Sequence, residues 1–182
     1  MNKIAFLLLL FTIFNPSKEN NKQQYIARQG QVTFFSYTSV ENIEAKNNQV
    51  LSIIDLEKKE IAVSMLMRAF VFKKDLMYEH FNESYIESDL YPQANFKGKL
   101  VDFDVNLAKQ TSTIKGTLTI HGIAKEVAIK TMIENKNNNY KLTGEFIAAV
   151  KDFNIKIPAI LSSNIAKTIN LKFRFQYQPY EN

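Results

Sequence analysis

Apolar and polar residues alternate along most of the chain, and this alternation predicts β-strands. The clearest run spans 169–178, where five apolar residues alternate with five polar ones, as is typical of a half-buried antiparallel strand. Further strands are predicted at 32–37, 43–45, 50–56, 61–68, 96–105, 111–121, 127–131 and 140–150. About eight strands without a βαβ rhythm indicate an all-β barrel or sandwich, and the long strands favour the barrel. Such a barrel either fills its own interior or holds one apolar ligand.

Turn-forming residues separate these strands. Glu57-Lys58-Lys59, His121-Gly122 and the asparagine-rich segment 135–139 are each predicted to be a turn. The segment 152–168 is less regular, with a break at Pro158. Within the strand at 140–150, Gly144 and Ala148 make the inner row small, which predicts either a tight bend or room for a ligand.

One stretch, 70–98, departs from the alternation and predicts a helical insert at about 74–90. Its apolar residues recur with a helical period and form one face, which comprises Leu76, Met77, Phe81, Tyr85 and Ile86. A helix of about two to four turns is therefore expected to interrupt the strands. In a barrel, we expect such an insert to close or line one end.

Flanking residues give the expected limits of this helix. Asp75 is predicted to cap its first turn, and Tyr91-Pro92 is predicted to end it. Glu79 and Glu83 are expected on the outer side, where water solvates their carboxylates.

The N-terminus has the form of a secretory signal peptide. Met1, Asn2 and Lys3 precede an apolar run of 11 residues, which is too short for a permanent membrane span. We predict a signal peptide at 1–17, a disordered segment at 18–24 and one barrel domain at 25–180. An uncleaved N-terminal anchor is the alternative. The mature chain is expected to be periplasmic or secreted from a bacterium, without an integral membrane span.

Composition narrows the possible functions. The chain has 182 residues, 46% of them hydrophobic and 23% charged, as expected for one globular domain. Its formal charge of +5 comes from scattered lysines that alternate with apolar residues, so we expect a solvated outer face and no nucleic-acid partner. Cysteine is absent, which excludes disulfides, thiol catalysis and cysteine-based zinc sites.

Candidate chemistry is sparse. The two histidines, His80 and His121, stand in no metalloprotease, nucleophile-elbow or phosphate-loop motif. A metal at His80 would need carboxylates from Glu79, Glu83 or Asp89, which are more typical of a solvated helix surface. We therefore predict no catalytic residues, no metal site and no cofactor.

The helical stretch also resembles the central signature of the YceI-like family. The resemblance is carried by Phe70-x-Phe72, by Leu76-Met77-x-Glu79-His80-Phe81-Asn82-Glu83-x-Tyr85-x-Glu87-Ser88 and by Tyr91-Pro92-x-Ala94-x-Phe96-x-Gly98. Residues 116–125 and 152–158 agree with it, and it extends from about 25 to 177. It implies an exported, lipocalin-like antiparallel β-barrel of about eight strands that holds a long isoprenoid or similar lipid.

Under this resemblance, ten residues are candidates for ligand binding: Phe70, Phe72, Leu76, Met77, His80, Phe81, Tyr85, Phe96, Phe146 and Phe173. His80 has two interpretations. It either hydrogen-bonds the polar end of a ligand or a buried water at the cavity mouth, or it bonds a backbone carbonyl and holds the helix on the barrel. His121, at a predicted hairpin tip, is expected to be structural. Met65, Met67, Met77 and Met132 are compatible with a pliable lining and with ordinary core packing.

Three functions follow in order of preference. The first is an exported, non-enzymatic protein that sequesters or carries a long-chain isoprenoid-type lipid, with the insert controlling entry. The second is a surface-binding or structural module with a self-filled barrel. The third is an enzyme that acts on a lipid with His80 as general base. Exposed strand edges would also be compatible with a homodimer.

Overall fold

The computed structural model describes residues 23–38, 41–157 and 165–180. The predicted signal peptide at 1–17, most of the predicted disordered segment at 18–24 and the predicted break at Pro158 lie outside these residues. The first strand begins at Gln24, one residue before the predicted start of the domain.

Nine strands are present in the described part of the chain. They are β1 (Gln24–Ser36), β2 (Ile43–Asp55), β3 (Glu60–Leu66), β4 (Val71–Phe72), β5 (Gln93–Val101), β6 (Lys109–Ile120), β7 (Ile123–Lys136), β8 (Asn139–Ala149) and β9 (Thr168–Pro179). The predicted strand at 96–105 is displaced, because β5 ends at Val101, before Asp102 adopts a left-handed backbone with φ of 59°.

Eight of these strands form a closed antiparallel barrel. The order around the barrel is β1, β2, β3, β5, β6, β7, β8 and β9, and β1 pairs with both β2 and β9. The two-residue strand β4 pairs with β2 outside this circle. Chain neighbours are therefore barrel neighbours except where β4 and the helix intervene, and the predicted lipocalin-like barrel is confirmed.

Two of the hairpins turn through two residues with positive φ. His121 and Gly122 have φ of 51° and 72°, and Asn137 and Asn138 have φ of 51° and 59°. Two such residues in succession match the right-handed twist of the flanking strands. The turns predicted at His121-Gly122 and within 135–139 are both confirmed, as is the turn at 57–59.

The predicted helical insert is confirmed, with corrections at its limits. An α-helix, α1 (Asp75–His80), continues into a π-helical turn at Phe81–Tyr85. The prediction that Asp75 caps the helix is wrong. Lys74 occupies the cap position without a side-chain hydrogen bond, and Asp75 is the first helical residue, where its negative charge is still favourable.

The helix also ends earlier than the predicted stop at Tyr91-Pro92. The amide of Ser88 donates to the Asn82 carbonyl at 2.8 Å, and Glu87 has φ of 48°. These features turn the chain away from the helix before the proline is reached. Glu79 and Glu83 are exposed, as expected.

The insert defines one end of the barrel. It connects the end of β3 to the start of β5, and these two strands pair directly from Leu66 with Gln93 onward. The last residues of β1, β6 and β8 and the first residues of β2, β7 and β9 lie at this same end, because neighbouring strands of the barrel are antiparallel. We call this end the insert end. The opposite end carries the connections at 56–59, 102–108 and 137–138, and we call it the closed end.

The barrel wall is incomplete between β7 and β8. Their pairing runs only from Thr131–Gly144 to Lys136–Asn139, near the closed end. Toward the insert end, residues 123–130 of β7 have no partner on β8 within the described residues. A 3-10 turn at Val150–Phe153, which begins before the irregular region predicted at 152–168, packs beside β7 at this gap.

Candidate functional site

An apolar cavity of about 510 Å³ occupies the half of the barrel at the insert end. The inward rows of the strands form its wall because successive side chains on a strand point to opposite faces. On β9 this row comprises Ile169, Leu171, Phe173 and Phe175, and on β6 it includes Ile114, Leu118 and Ile120. The cavity extends under the insert and reaches the gap between β7 and β8, where Phe146 and Phe153 line it.

The cavity stops about midway along the barrel. On β9, Phe175 lines the cavity, whereas Tyr177, the next inward residue, does not and is 1% exposed. Strand β6 changes in the same way, since Ile114 lines the cavity and Ser112 is buried outside it. Packed side chains fill the closed half, which includes an edge-to-face pair of Tyr25 and Tyr140 with ring centroids 4.8 Å apart.

Three phenylalanine rings of the wall lie against glycines. A Cβ built on each glycine would come within 2.4–2.6 Å of a ring atom, so no larger residue fits beside the ring. The pairs are Phe96 with Gly98, Phe173 with Gly144 and Phe175 with Gly30. The small inner row predicted around Gly144 therefore provides room for the Phe173 ring.

All ten residues predicted from the sequence to bind ligand line this cavity. Nine are apolar or aromatic side chains, and the tenth, His80, lies at the rim on α1. Leu76 is 61% exposed, which places it at the rim as well. The structure thus brings the predicted set together around one space, and ligand binding by these residues stays a prediction.

An aromatic cluster holds the insert over the mouth. Phe81 of the helical turn stacks on Phe34 of β1 at 5.5 Å and contacts Phe72 of β4 at 5.0 Å. Phe70 completes the cluster, 5.7 Å from Phe81 and 5.5 Å from Phe34. Contacts of this kind contribute about 0.5–1.5 kcal/mol each beyond burial. The insert is therefore fixed to the barrel by aromatic side chains that also line the cavity.

Few polar side chains reach the cavity among the described residues: Ser36, Glu41, Lys74, His80 and Tyr85. Lys74 Nζ lies 2.5 Å from Glu41 Oε1, so an ion pair joins the start of α1 to the β1–β2 connection. Burial raises the pKa of the Tyr85 hydroxyl. Sequence reasoning missed Glu41 and Lys74, which belong to separate connections and carry no motif.

The two histidines have different roles in the structure. His121 is nearly buried, with Nε2 2.8 Å from Glu87 Oε2 and Nδ1 3.2 Å from the Phe153 carbonyl oxygen. Its ring also packs edge-on against Tyr91, with centroids 4.4 Å apart. Both hydrogen-bond partners are acceptors, so making both bonds at once requires the doubly protonated ring. His121 thus joins the β6–β7 hairpin to the insert and to the 3-10 turn.

His80 is exposed, and its ring makes no hydrogen bond to any residue in the described ranges. His80 was also interpreted as bonding a backbone carbonyl to hold the helix on the barrel, but no such bond is present among the described residues. His121 connects the insert to the barrel instead. Asn82 is buried within the π-helical turn and donates from Nδ2 to the Tyr78 carbonyl at 2.9 Å. That bond gives Asn82 a structural role.

Neither a group of side chains that could hold a metal ion nor a helix that could cross a membrane occurs in the part of the chain that the structure describes. Its histidine, aspartate and glutamate side chains form no group of three that could hold a metal ion. None of its helices has the length and apolar character needed to cross a bilayer.

Comparison with known proteins places the chain in a family. The model of the YceI-like domain matches residues 24–177, and the chain belongs to this family. No curated protein matches this chain.

Solved structures share the fold at low sequence identity. A polyisoprenoid-binding domain from Saccharophagus degradans, implicated in plant cell wall breakdown, superposes with a TM-score of 0.74 at 12% identity, covering 87% of this chain and 99% of that one. BcnA of Burkholderia cenocepacia gives a TM-score of 0.69 at 16% identity over 82% and 96%. The YCEI protein of Campylobacter jejuni gives 0.65 at 16% identity over 80% and 90%. At these identities the likeness concerns the fold alone.

Proposed function

We propose that this protein is an exported, non-enzymatic lipid-binding protein that sequesters or carries a long-chain isoprenoid-type lipid. The observation that carries the proposal is the blind apolar cavity at the insert end of the barrel. An aliphatic chain fits such a space because it needs apolar walls and few polar partners.

Burial of the aliphatic chain of the lipid supplies the binding affinity. Each methylene group removed from water contributes about 0.8 kcal/mol, so ten buried methylenes contribute roughly 8 kcal/mol before the cost of association. The methionines at the wall, Met65, Met67 and Met77, adapt to a chain of irregular shape. Met132 does not line the cavity.

Two further observations support the proposal. The family relationship links the chain to proteins of this fold, one of which is described as a polyisoprenoid-binding domain. The signal-like segment at 1–17 motivates the export part of the proposal. A lipid-carrying protein outside the cytoplasm would shield the apolar chain of the lipid from water between membranes.

The alternatives have less support. The surface-binding or structural module would have a barrel filled by its own side chains. Side chains fill the closed half, but a cavity of about 510 Å³ remains in the other half. An enzyme would use His80 as general base, yet no described side chain hydrogen-bonds the ring to orient it.

Native mass spectrometry tests the proposal directly. The protein is expressed with its N-terminal segment, purified without detergent, and weighed before and after organic extraction. We expect a shortened N-terminus and a discrete added mass that extracts as a long-chain lipid. A lipid-free protein that also takes up no added polyprenyl lipid would overturn the binding proposal, and an uncleaved chain that stays in the cytoplasm would overturn export.

A further inference from the structure

We propose that Phe175 sets the depth to which a lipid chain enters the barrel, so that the protein selects its ligand by chain length. This inference rests on the proposed function, because it concerns the same cavity. The carrying observation is that the hollow half of the barrel ends at Phe175 while the other half is filled.

The position of the Phe175 ring is fixed from three sides. It stacks on Phe173 at 5.4 Å and meets Tyr177 edge-on at 6.1 Å. Its third neighbour is Gly30, where an added Cβ would lie 2.4 Å from the ring. The pairing of β1 with β2 shifts register on both sides of Gly30, so the strand is irregular where the ring lies against it.

The layer behind Phe175 resists displacement. Tyr177 is 1% exposed, and its hydroxyl lies 2.6 Å from Ser52 Oγ. Moving Tyr177 to admit a longer chain would break this buried hydrogen bond and disturb a close-packed core. A chain that reaches Phe175 therefore stops there, and its excess length stays at the mouth.

The volume of the cavity predicts the chain length beyond which affinity stops rising. A cavity of about 510 Å³ accommodates roughly 15–20 carbon atoms if each methylene occupies about as much space as a water molecule, some 30 Å³. Affinity should rise about fourfold for each methylene added while the cavity fills. Beyond that length the added carbons remain in water, and the affinity should level off.

A chain-length series tests this inference. Straight-chain primary alcohols of about 6–22 carbons compete with a fluorescent apolar dye for the intact protein, and affinity is plotted against chain length. The unmodified protein should level off at roughly 15–20 carbons. Phe175→Ala should move that point roughly three to five carbons longer, because removing a phenyl ring opens space of about benzene size. Where Phe175→Ala fails to fold, Phe175→Leu should give a smaller shift in the same direction.

Phe35→Ala is the matched control. Phe35 does not line the cavity, and it packs against Tyr37, with ring centroids 6.1 Å apart. This variant should leave the levelling point unchanged. An affinity that keeps rising through the longest alcohols, or a Phe175 variant that folds and levels off at the original length, would overturn the depth limit while leaving lipid binding intact. Failure of every alcohol and every polyprenyl lipid to displace the dye would overturn the proposed function and the depth limit together.

Discussion

The hydroxyl groups of Tyr177 and Ser52 lie 2.6 Å apart in the closed half of the barrel, and both residues are fully buried. Ser52 Oγ donates its single proton to the Ala62 carbonyl at 3.1 Å. Tyr177 must therefore be the donor in its bond with Ser52. These two hydrogen bonds connect β9, β2 and β3 in the closed half and leave neither hydroxyl unpaired.

Replacement of Tyr177 by phenylalanine should lower the free energy of unfolding by about 1 kcal/mol. The ring still fills its space, and Ser52 keeps Ala62 as acceptor, so only one buried hydrogen bond is lost. Urea unfolding of the two proteins measures the difference. Ser52→Ala is the companion variant, and the double variant should cost less than the two single ones combined. Strict additivity would contradict the proposed bond.

Alkaline pH should destabilise the protein through the closed half. Burial raises the pKa of Tyr177, and it also raises the pKa of Tyr25 and Tyr140, so the folded state favours the neutral phenols. Tyrosines of the unfolded chain ionise near pH 10, so the unfolded state loses protons first as the pH rises. The free energy of unfolding should therefore be unaffected by these groups below about pH 10 and should fall above it.

Unfolding measured between about pH 8 and pH 12 tests this expectation. Tyr177→Phe should flatten the decline, because it removes the most deeply buried of the three phenols. Tyrosinate absorbance from this residue should appear together with unfolding. Its appearance in a protein that remains folded would contradict the assignment.

Much of the fold follows from local pattern. The alternation along 169–178 predicts β9 because a strand has a period of two residues, and the pairs of turn residues at His121 and Asn137 predict their hairpins. The period of the insert predicts a helix, but not its end, which depends on the backbone of Glu87 rather than on Tyr91-Pro92.

Part of the cavity lining was predictable from the sequence, but the shape of the cavity was not. The ten candidates came from the resemblance to the YceI-like family, and all of them line the cavity together with many residues that were not named. The depth of the cavity depends on cross-strand neighbours, since the Phe175 ring lies against Gly30, which is far from it in sequence. The ion pair of Glu41 and Lys74 likewise joins two connections whose proximity only the closed barrel creates.

His121→Ala should loosen the insert, whereas His80→Ala should leave it unchanged. His121 bonds Glu87 and the Phe153 carbonyl, and the loss of its charge-assisted bond should cost roughly 1–3 kcal/mol. Amide hydrogen exchange should become faster across 75–88 in the His121 variant. Because His80 is the other histidine of the chain and is exposed, its variant is the matched control. Faster exchange in the His80 variant alone would reverse the roles assigned to the two side chains.

The Glu41–Lys74 pair should influence lipid release more than it influences stability. Both side chains are about half exposed, so the pair contributes only about 0.2–1 kcal/mol. Lys74→Ala should therefore change the free energy of unfolding slightly. It should speed dissociation of a bound lipid about 1.5- to 5-fold, since the pair joins the start of α1 to the β1–β2 connection at the mouth of the cavity. The charge swap Glu41→Lys with Lys74→Glu should restore slow release, and added salt should speed release from the unmodified protein but not from Lys74→Ala. Equal release from all three proteins would show that the mouth opens without separating this pair.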